Sequence, residues 1–267
     1  MVGDFLVSIA AMKPAPINLH NISIGYDGDA IIRNLSGCFA PGSLTAIAGE
    51  NGRGKSTLVK GLVGELPLAA GHIDTSGMTG AHIAYLAQTS TLERSFPFTV
   101  ADTVILGAWA QMGAFRVVNR KIAQNAHQAL CQVGLEKHGH HPVSTLSAGQ
   151  LQRVLFARLI LQNAAVIILD EPFNAIDMAT ISDLIGIIRG WHKDGRTVIA
   201  VLHDFAHIRT YFPQTLLLHA NGHDWGPTDT VLPPNPYVPP RHGNMPEHAD
   251  LHDLSRHAAP AQIRIIS

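Results

Sequence analysis

The stretch that decides the fold is Gly49-Glu50-Asn51-Gly52-Arg53-Gly54-Lys55-Ser56-Thr57. It follows an apolar run of strand length, residues 44–48, and leads into a segment with helical spacing, residues 58–63. This order predicts a buried strand, a glycine-rich loop and a helix, because glycines permit the sharp backbone turn that joins the other two. The spacing, a glycine followed after four residues by Gly-Lys-Ser, is the pattern of a phosphate-binding loop.

Each part of this loop has a chemical role toward a bound nucleotide. Glycines without a Cβ let backbone N–H groups approach phosphate oxygens, and the helix that begins there directs its positive end at them. Lys55 adds a positive charge near the β- and γ-phosphates, and the Ser56 hydroxyl is a ligand for Mg²⁺. We therefore predict that residues 49–57 bind a nucleotide together with its Mg²⁺ ion.

The composition is that of a globular protein, with 267 residues, of which 46% are hydrophobic and 15% charged, and a formal net charge of −1. This length suits one large α/β domain or two small ones. The net charge does not favour a nucleic-acid binder, which carries a basic excess. No apolar run reaches the roughly 18 residues of a membrane-spanning helix. Cys38 and Cys131 lie far apart in sequence and are interpreted as reduced structural thiols of a cytosolic protein.

Polar side chains follow the ends of the predicted central strands. The apolar run 165–169 ends in Asp170 and Glu171, at the strand end where open α/β sheets bind ligands. Asp170 is placed to hold Mg²⁺ through water, and Glu171 to orient or deprotonate an attacking water. His203 follows the apolar strand 197–202 and could donate a hydrogen bond to a γ-phosphate.

Three further positions have both a structural and a functional interpretation. Gln88, after the predicted strand 82–86, could bind Mg²⁺ or hold a water, but such a glutamine is more often a solvated loop residue. Tyr26, after the predicted strand 17–24, could stack on an adenine or pack on its neighbours. A second anion-binding helix N-terminus, or an ordinary N-cap, is predicted at Leu146-Ser147-Ala148-Gly149-Gln150.

With these residues in place, the chain resembles the ATP-binding subunit of an ABC transporter from about residue 17 to residue 232. The resemblance rests on the order of a set of motifs. Ala148 stands where the family usually has glycine; it keeps the backbone donor and adds only a methyl, so we expect function to survive. The resemblance identifies Walker A at 49–57, the adenine-stacking aromatic as Tyr26, the Q-loop as Gln88, the signature motif at 146–150, Walker B at 166–170, the catalytic glutamate as Glu171, the D-loop at 174–177 with Asp177, and the switch histidine as His203.

The resemblance implies an α/β fold, a P-loop NTPase (RecA-like) core with an antiparallel β-subdomain and a helical subdomain that carries the signature motif. It sets the ATPase domain at residues 17–232, with the helical subdomain at about 96–160. Residues 1–16 are then an extension whose apolar part lacks the basic flank of a signal peptide, and Met12 is an alternative start. Residues 233–267 form a tail rich in proline and histidine, which we expect to be poorly ordered.

The resemblance also implies a mechanism. Two ATPase subunits, most simply two copies of this chain, sandwich two ATP molecules, so that the Walker A loop of one faces the signature motif of the other. The two ATPase subunits close on ATP and reopen after hydrolysis, and this movement drives two membrane permease subunits between inward- and outward-facing states. An extracytoplasmic metal-binding protein is the implied indirect partner, and no nucleic acid is involved. The chain is expected at the cytoplasmic face of the inner membrane as a peripheral subunit.

The cargo is predicted from segment 88–107 and from stretches 171–177 and 201–205, which look like those of zinc and manganese importer ATPases. This similarity predicts import of a divalent metal ion, with zinc as the favoured cargo. ATPases of iron-siderophore, haem and cobalamin importers look similar too and are the alternative. A soluble, non-transport ABC ATPase acting on DNA or ribosomes is disfavoured, because the helical insertion is short and only one set of motifs is present. A non-hydrolytic regulator would not need both Glu171 and His203.

The sequence contains 16 histidines, and some of them are grouped. Histidine-rich tracts can bind zinc. Their spacings match no closed structural zinc site and no cysteines join them, so they are interpreted first as incidental polar residues. One group consists of His138, His140 and His141, and the other, in the tail, of His242, His248, His252 and His257.

Overall fold

The computed structural model describes residues 14–26, 29–88, 97–109 and 118–233. The predicted tail and nearly all of the predicted N-terminal extension lie outside the described residues, and the domain bounds stay a prediction. Within the described ranges the chain is an α/β protein with an antiparallel sheet, a larger mixed sheet and a set of helices. The predicted fold class is confirmed.

The smaller sheet is antiparallel and has the strand order β2-β1-β4, formed by β1 (Ile17–Tyr26), β2 (Asp29–Phe39) and β4 (Ala70–Asp74). The pairing of β1 with β2 is irregular between Leu19 and Ile22, where Asn21 has φ 47°. An extra residue at a bulge shifts the alternation of side chains by one position. The apolar residues on both sides of the irregularity are therefore buried on the same face: Ile17, Leu19, Ile22 and Ile24.

The larger sheet positions the site. In the described part of the chain its strand order is β5-β6-β7-β3-β8-β9, and it is parallel except for β9, which pairs antiparallel with β8. The carboxyl ends of β5, β6, β7 and β3 therefore lie side by side at one edge. The strands are β3 (Leu44–Gly49), β5 (Ile83–Leu86), β6 (Val166–Asp170), β7 (Thr197–Val201), β8 (Gln214–His219) and β9 (Gly222–Pro227).

The helices begin where polar side chains can cap them. Asn119, Ser147, Asp177 and Asp204 each accept a hydrogen bond from a backbone N–H of the helix that follows. Among the described residues, no helix combines the length and the apolar character needed to cross a membrane. The helices are α1 (Lys55–Leu62), α2 (Val100–Ile105), α3 (Arg120–Gln132), α4 (Ala148–Gln162), α5 (Met178–Lys193), α6 (Phe205–Tyr211) and α7 (Thr228–Val231).

The larger sheet is buried between two hydrophobic cores. On β6, Val166 and Ile168 belong to the core shared with the antiparallel sheet and α1, whereas Ile167 and Leu169 belong to the core shared with α2–α5. Successive side chains of a strand point to opposite faces, so one strand supports both cores. Every residue of β6 is buried, as predicted for a central parallel strand.

Gly107 marks a close backbone contact inside the helical group formed by α2, α3 and α4. It lies in the turn of 3₁₀-helix that follows α2, and a Cβ at this position would be 2.2 Å from the carbonyl oxygen of Arg158 on α4. That oxygen is backbone and cannot move aside without displacing the helix. The close approach of α2 to α4 therefore requires glycine.

Gly107→Ala is expected to lower the free energy of unfolding by about 1–3 kcal/mol, the usual cost of overpacking a rigid contact. Gly186→Ala in the middle of α5 is the matched control, because a Cβ there meets nothing within 4 Å. Alanine is favoured over glycine in helices by up to about 1 kcal/mol, so the control should be neutral or stabilised. Urea unfolding of both variants measures the difference, and equal stability of the two would contradict the contact.

Candidate functional site

The loop between β3 and α1 has the backbone conformation that its glycines predict. Gly49 ends β3 with φ 143°, and a Cβ there would lie 2.3 Å from the carbonyl oxygen of Leu218. Gly54 precedes α1 with φ 89° and has no side chain with which to cap the helix. The first N–H groups of α1 are thus left for a ligand, and such an N-terminus attracts anions.

Lys55, the first residue of α1, is 5% exposed. Its Nζ donates hydrogen bonds of 2.8 Å to the carbonyl oxygens of Gly49 and Glu50. Burial lowers the pKa of Lys55, and the carboxylates of Glu171 and Asp170 oppose that shift. A buried ammonium group bound to neutral carbonyls is stabilised by an approaching anion, so a phosphate group fits this loop.

The remaining loop residues face solvent or continue the helix. Glu50 and Arg53 form an ion pair with an N···O distance of 2.7 Å, and the Glu50 side chain is 76% exposed. An ion pair so exposed contributes little to stability. Asn51 is exposed, Gly52 has positive φ, and Thr57 is buried within α1.

Ser56 and Asp170 bring oxygen atoms together beside the loop. Ser56 Oγ donates a hydrogen bond of 3.3 Å to Asp170 Oδ1. Asp170 ends β6 and is 3% exposed, and burial raises the pKa of its carboxyl group while the Ser56 hydrogen bond opposes the rise. A hydroxyl and a carboxylate are hard oxygen ligands of the kind Mg²⁺ prefers, so the two residues fit that ion next to a phosphate.

Glu171 is the centre of a polar cluster at the edge of the sheet. Its Oε2 accepts hydrogen bonds from Gln88 Nε2, at 2.7 Å, and from Asn174 Nδ2, while Oε1 lies 2.5 Å from His203 Nε2. Its side chain is 13% exposed, against 37% for His203. The cluster brings together Gln88, Glu171 and His203, each of which was predicted from the sequence as a separate site residue.

Asn174 is the member of this cluster that sequence reasoning missed. From the sequence, Asn174 is only the first residue of the loop 174–177, because no residue type or pattern there indicates that its side chain folds back onto Glu171. The signal available was its spacing: three residues after Glu171, with the Asn174 N–H donating to the Glu171 carbonyl in a turn. A cleft of about 230 Å³ opens beside the cluster, lined among others by Glu171, Phe173, His203 and His207.

The predicted signature stretch lies at the start of α4 and is turned toward α5. Ser147 and Gln150 form a reciprocal capping box, with hydrogen bonds of 3.2 Å and 3.0 Å, as the N-cap interpretation predicted. Leu146 is buried, whereas Ser147 and Ala148 are exposed. None of the hydrogen bonds found among the described residues links this stretch to the 49–57 loop of the same chain.

Asp177 is next to the signature stretch and caps α5. It accepts hydrogen bonds of 2.9 Å from the N–H and the hydroxyl of Thr180, and these lower the pKa of its carboxyl group. A Cβ on Gly149 would lie 3.2 Å from Thr180 Oγ1 and 3.6 Å from Asp177 Oδ2, so the N-termini of α4 and α5 touch.

Tyr26, at the end of β1, is 44% exposed, which leaves its ring open to a stacking partner.

A family model described as ABC transporter matches residues 32–174, more than half of the chain. The chain belongs to the ABC transporter family. It is 36% identical to a manganese transport system ATP-binding protein of Listeria innocua, over 81% of this chain and 92% of that protein. It is 31% identical to a zinc transport system ATP-binding protein of Treponema pallidum, over 76% of this chain and 78% of that protein.

A solved structure described as a metal-chelate type ABC transporter in an inward-facing conformation shares the fold. The TM-score is 0.73 at 26% sequence identity, over 82% of this chain and 85% of that chain. The family predicted from the motifs is thus confirmed. Its ATP-binding domain hydrolyses ATP to drive transport, and the chain is an ATPase of this kind.

Glu171→Gln is expected to keep ATP binding and to lower the turnover number by about 10² to 10⁴, the usual contribution of a positioned general base. Steady-state ATP hydrolysis and equilibrium binding of a fluorescent ATP analogue measure the two quantities. Glu136→Gln, at an exposed position outside the cluster, is the control and should retain full turnover. Normal hydrolysis by Glu171→Gln would reject the assignment of this carboxylate.

Asp170→Asn is expected to stabilise the nucleotide-free protein at neutral pH while abolishing ATPase activity. Because burial raises the folded-state pKa of Asp170, ionised Asp170 destabilises the fold progressively as pH rises through that pKa. The stability difference should therefore shrink under acidic conditions, where Asp170 is protonated in the folded state. Urea unfolding at several pH values tests this, with Asp229→Asn, whose side chain is 95% exposed, as the control without effect.

Proposed function

We propose that this protein is the ATP-hydrolysing subunit that energises uptake of a divalent metal ion across a membrane. The observation that carries the proposal is the similarity, over most of the chain, to ATP-binding proteins named for manganese and zinc transport systems. The geometry supports it, because a phosphate loop, a pair of oxygen ligands and the polar cluster around Glu171 lie at the carboxyl edge of one sheet.

The loop 49–57 would bind the phosphates of ATP. Lys55 Nζ would exchange its carbonyl partners for β- and γ-phosphate oxygens, and the N–H groups at the start of α1 would donate to the same anion. Ser56 and Asp170 would hold Mg²⁺, which when bound neutralises negative charge on the phosphates. Tyr26 would stack on the adenine with its exposed ring.

Glu171 would act as the general base for the attacking water. Hydrogen bonds from Gln88 and Asn174 to Oε2 fix the orientation of its carboxylate, so that Oε1 faces His203. A water placed between Oε1 and the γ-phosphate would transfer a proton to Oε1 while its oxygen bonds to the γ-phosphorus and the bond from that phosphorus to the β-phosphate oxygen breaks, so that ADP leaves. His203 would then turn its hydrogen bond from Glu171 to the γ-phosphate, where negative charge accumulates in the transition state.

The signature stretch 146–150 would complete the site of a second copy of this chain. Its helix N-terminus is exposed at Ser147 and Ala148. The capping box occupies the backbone N–H groups of Ser147 and Gln150, so the N–H groups of Ala148 and Gly149, which lie in the first turn and have no partner within the helix, would donate to a phosphate. Asp177 lies beside it and would contact the same partner. We therefore propose a homodimer with two shared ATP sites.

Two permease subunits in the membrane, and indirectly an extracytoplasmic metal-binding protein, would be the transport partners. The chain would sit at the cytoplasmic face of the inner membrane as a peripheral subunit. This fits the finding that no helix in the described ranges could span a membrane. No nucleic-acid partner is proposed, since the net charge of −1 is not the basic excess of a nucleic-acid binder.

Manganese and zinc are the first candidate cargoes. The sequence favoured zinc, whereas the relative named for manganese is the more similar of the two, at 36% against 31% identity. Manganese is therefore the first ion to test. A metal chelate is the second candidate, favoured by the likeness to the structure described as a metal-chelate type transporter.

Deletion of the gene is expected to lower cellular manganese or zinc content several-fold in metal-poor medium. Elemental analysis and uptake of radioactive manganese and zinc measure the loss. The unaltered gene should restore uptake, and the Glu171→Gln variant should not. If manganese and zinc uptake stay unchanged in the deletion strain while uptake of an iron chelate or cobalamin is lost, the cargo is the second candidate, a metal chelate. A rise in the cellular content of manganese or zinc would contradict import.

A further inference from the structure

We infer that His138 and His141 form a zinc-binding site on the helical group, separate from the ATP site. The two histidines lie in the loop between α3 and α4, and their ring centroids are 5.0 Å apart with planes tilted by 38°. Nδ1 of His138 is buried and has no hydrogen-bond partner among the described residues. His141 is exposed, so the site would open to solvent on its side.

The separation of the rings suits a shared metal ion. Zinc–nitrogen bonds of about 2.0–2.1 Å place each ring centroid about 3.2 Å from the metal, so two imidazoles at a tetrahedral angle have centroids about 5.2 Å apart. The observed 5.0 Å agrees with this value. The cross-strand pair His20 and His72 is less suitable, because its rings are stacked within 18° of parallel and their nitrogen lone pairs do not converge.

The unpartnered nitrogen of His138 is the second observation that points to a ligand. Buried polar atoms are nearly always hydrogen-bonded, and a native exception calls for an unseen water or ion. In the tautomer protonated at Nε2, this nitrogen carries a lone pair that a metal can take. No backbone or side-chain donor in the described chain competes for it.

The loop is already held in the conformation that brings the rings together. The N–H of His138 donates to the Leu135 carbonyl at 3.0 Å, and the N–H of His141 donates to the His138 carbonyl at 2.9 Å. The same loop holds the start of α2, because the carbonyls of His141 and Gly139 accept from the N–H groups of Val100 and Ala101. A metal bridging the two rings would therefore also stabilise the N-terminus of α2.

The ligand set selects zinc over manganese. Imidazole suits zinc, copper and nickel, whereas manganese prefers carboxylate and other oxygen ligands. Within the described ranges no group of three or more histidine, cysteine or acidic side chains could hold a metal, so the protein supplies two ligands and water the rest. The site is thus distinct in chemistry from a manganese cargo and does not rest on the proposed function.

Titration of the nucleotide-free full-length protein with zinc alone tests the inference. Isothermal titration calorimetry should show one zinc equivalent whose affinity falls by at least about tenfold in His138→Gln and in His141→Gln. Zinc should also raise the melting temperature of the parent protein, because a ligand that binds only the folded state stabilises that state. This rise should be lost in both variants. Histidines elsewhere contribute equally to all variants, so the difference between variants is the measure.

His140→Gln is the matched control, because it lies in the same loop but outside the pair, and it should keep the zinc equivalent. Equal zinc binding in the parent, His138→Gln and His141→Gln would overturn the inference, as would an equal loss in His140→Gln. If His138→Gln does not fold, zinc binding by His141→Gln, whose changed residue is exposed, is compared with that of the parent and is the test. A crystal grown with zinc should show an anomalous peak at the zinc edge between the two rings, and its absence at full occupancy of zinc in solution would count against the site.

Discussion

A positive charge buried where β3 meets α1 governs the arrangement of the whole site. The ammonium group of Lys55 is removed from water, and within the free protein its direct partners are two carbonyl oxygens. Such a charge requires negative charge nearby, since attraction between ions is stronger in the interior than in water. The strand order supplies it: β6 lies beside β7 and β7 beside β3, which brings Asp170 and Glu171 within electrostatic range.

The two cores make that arrangement rigid. Strand β6 has Val166 and Ile168 in one core and Ile167 and Leu169 in the other, so neither face can slip without disturbing both. A register shift of one residue would exchange the two sets and remove Asp170 from Ser56. The polar residues at the strand ends are thus held by apolar packing several residues away, and the chemistry of the edge depends on the fit of the sheet.

Much of this site follows from the sequence, because strands and helix starts have local signals. The run 165–169 and the acids after it predicted β6 and its carboxyl end, and Ser147 was predicted as an N-cap. The contact of Gln88 with Glu171 could not be predicted from Gln88 alone, because it depends on β5 lying beside β6. The requirement for glycine at position 107 was missed for the same reason, because it results from packing against the distant Arg158. Asn174 was missed for a different reason: its contact with Glu171 is local, but it depends on the conformation of the turn between the two residues.

Glu171 has φ 52°, in the left-handed region, and its N–H donates to the carbonyl of Val201 on β7. For a residue with a Cβ this conformation costs about 1–2 kcal/mol, which glycine does not incur. Position 171 is therefore one where glycine would suit the fold better than glutamate does. Selection for folding stability alone would not retain a glutamate in this conformation. A related chain with glycine at this position would be expected to gain that conformational energy and to lose the hydrogen bonds that Gln88, Asn174 and His203 make with this side chain.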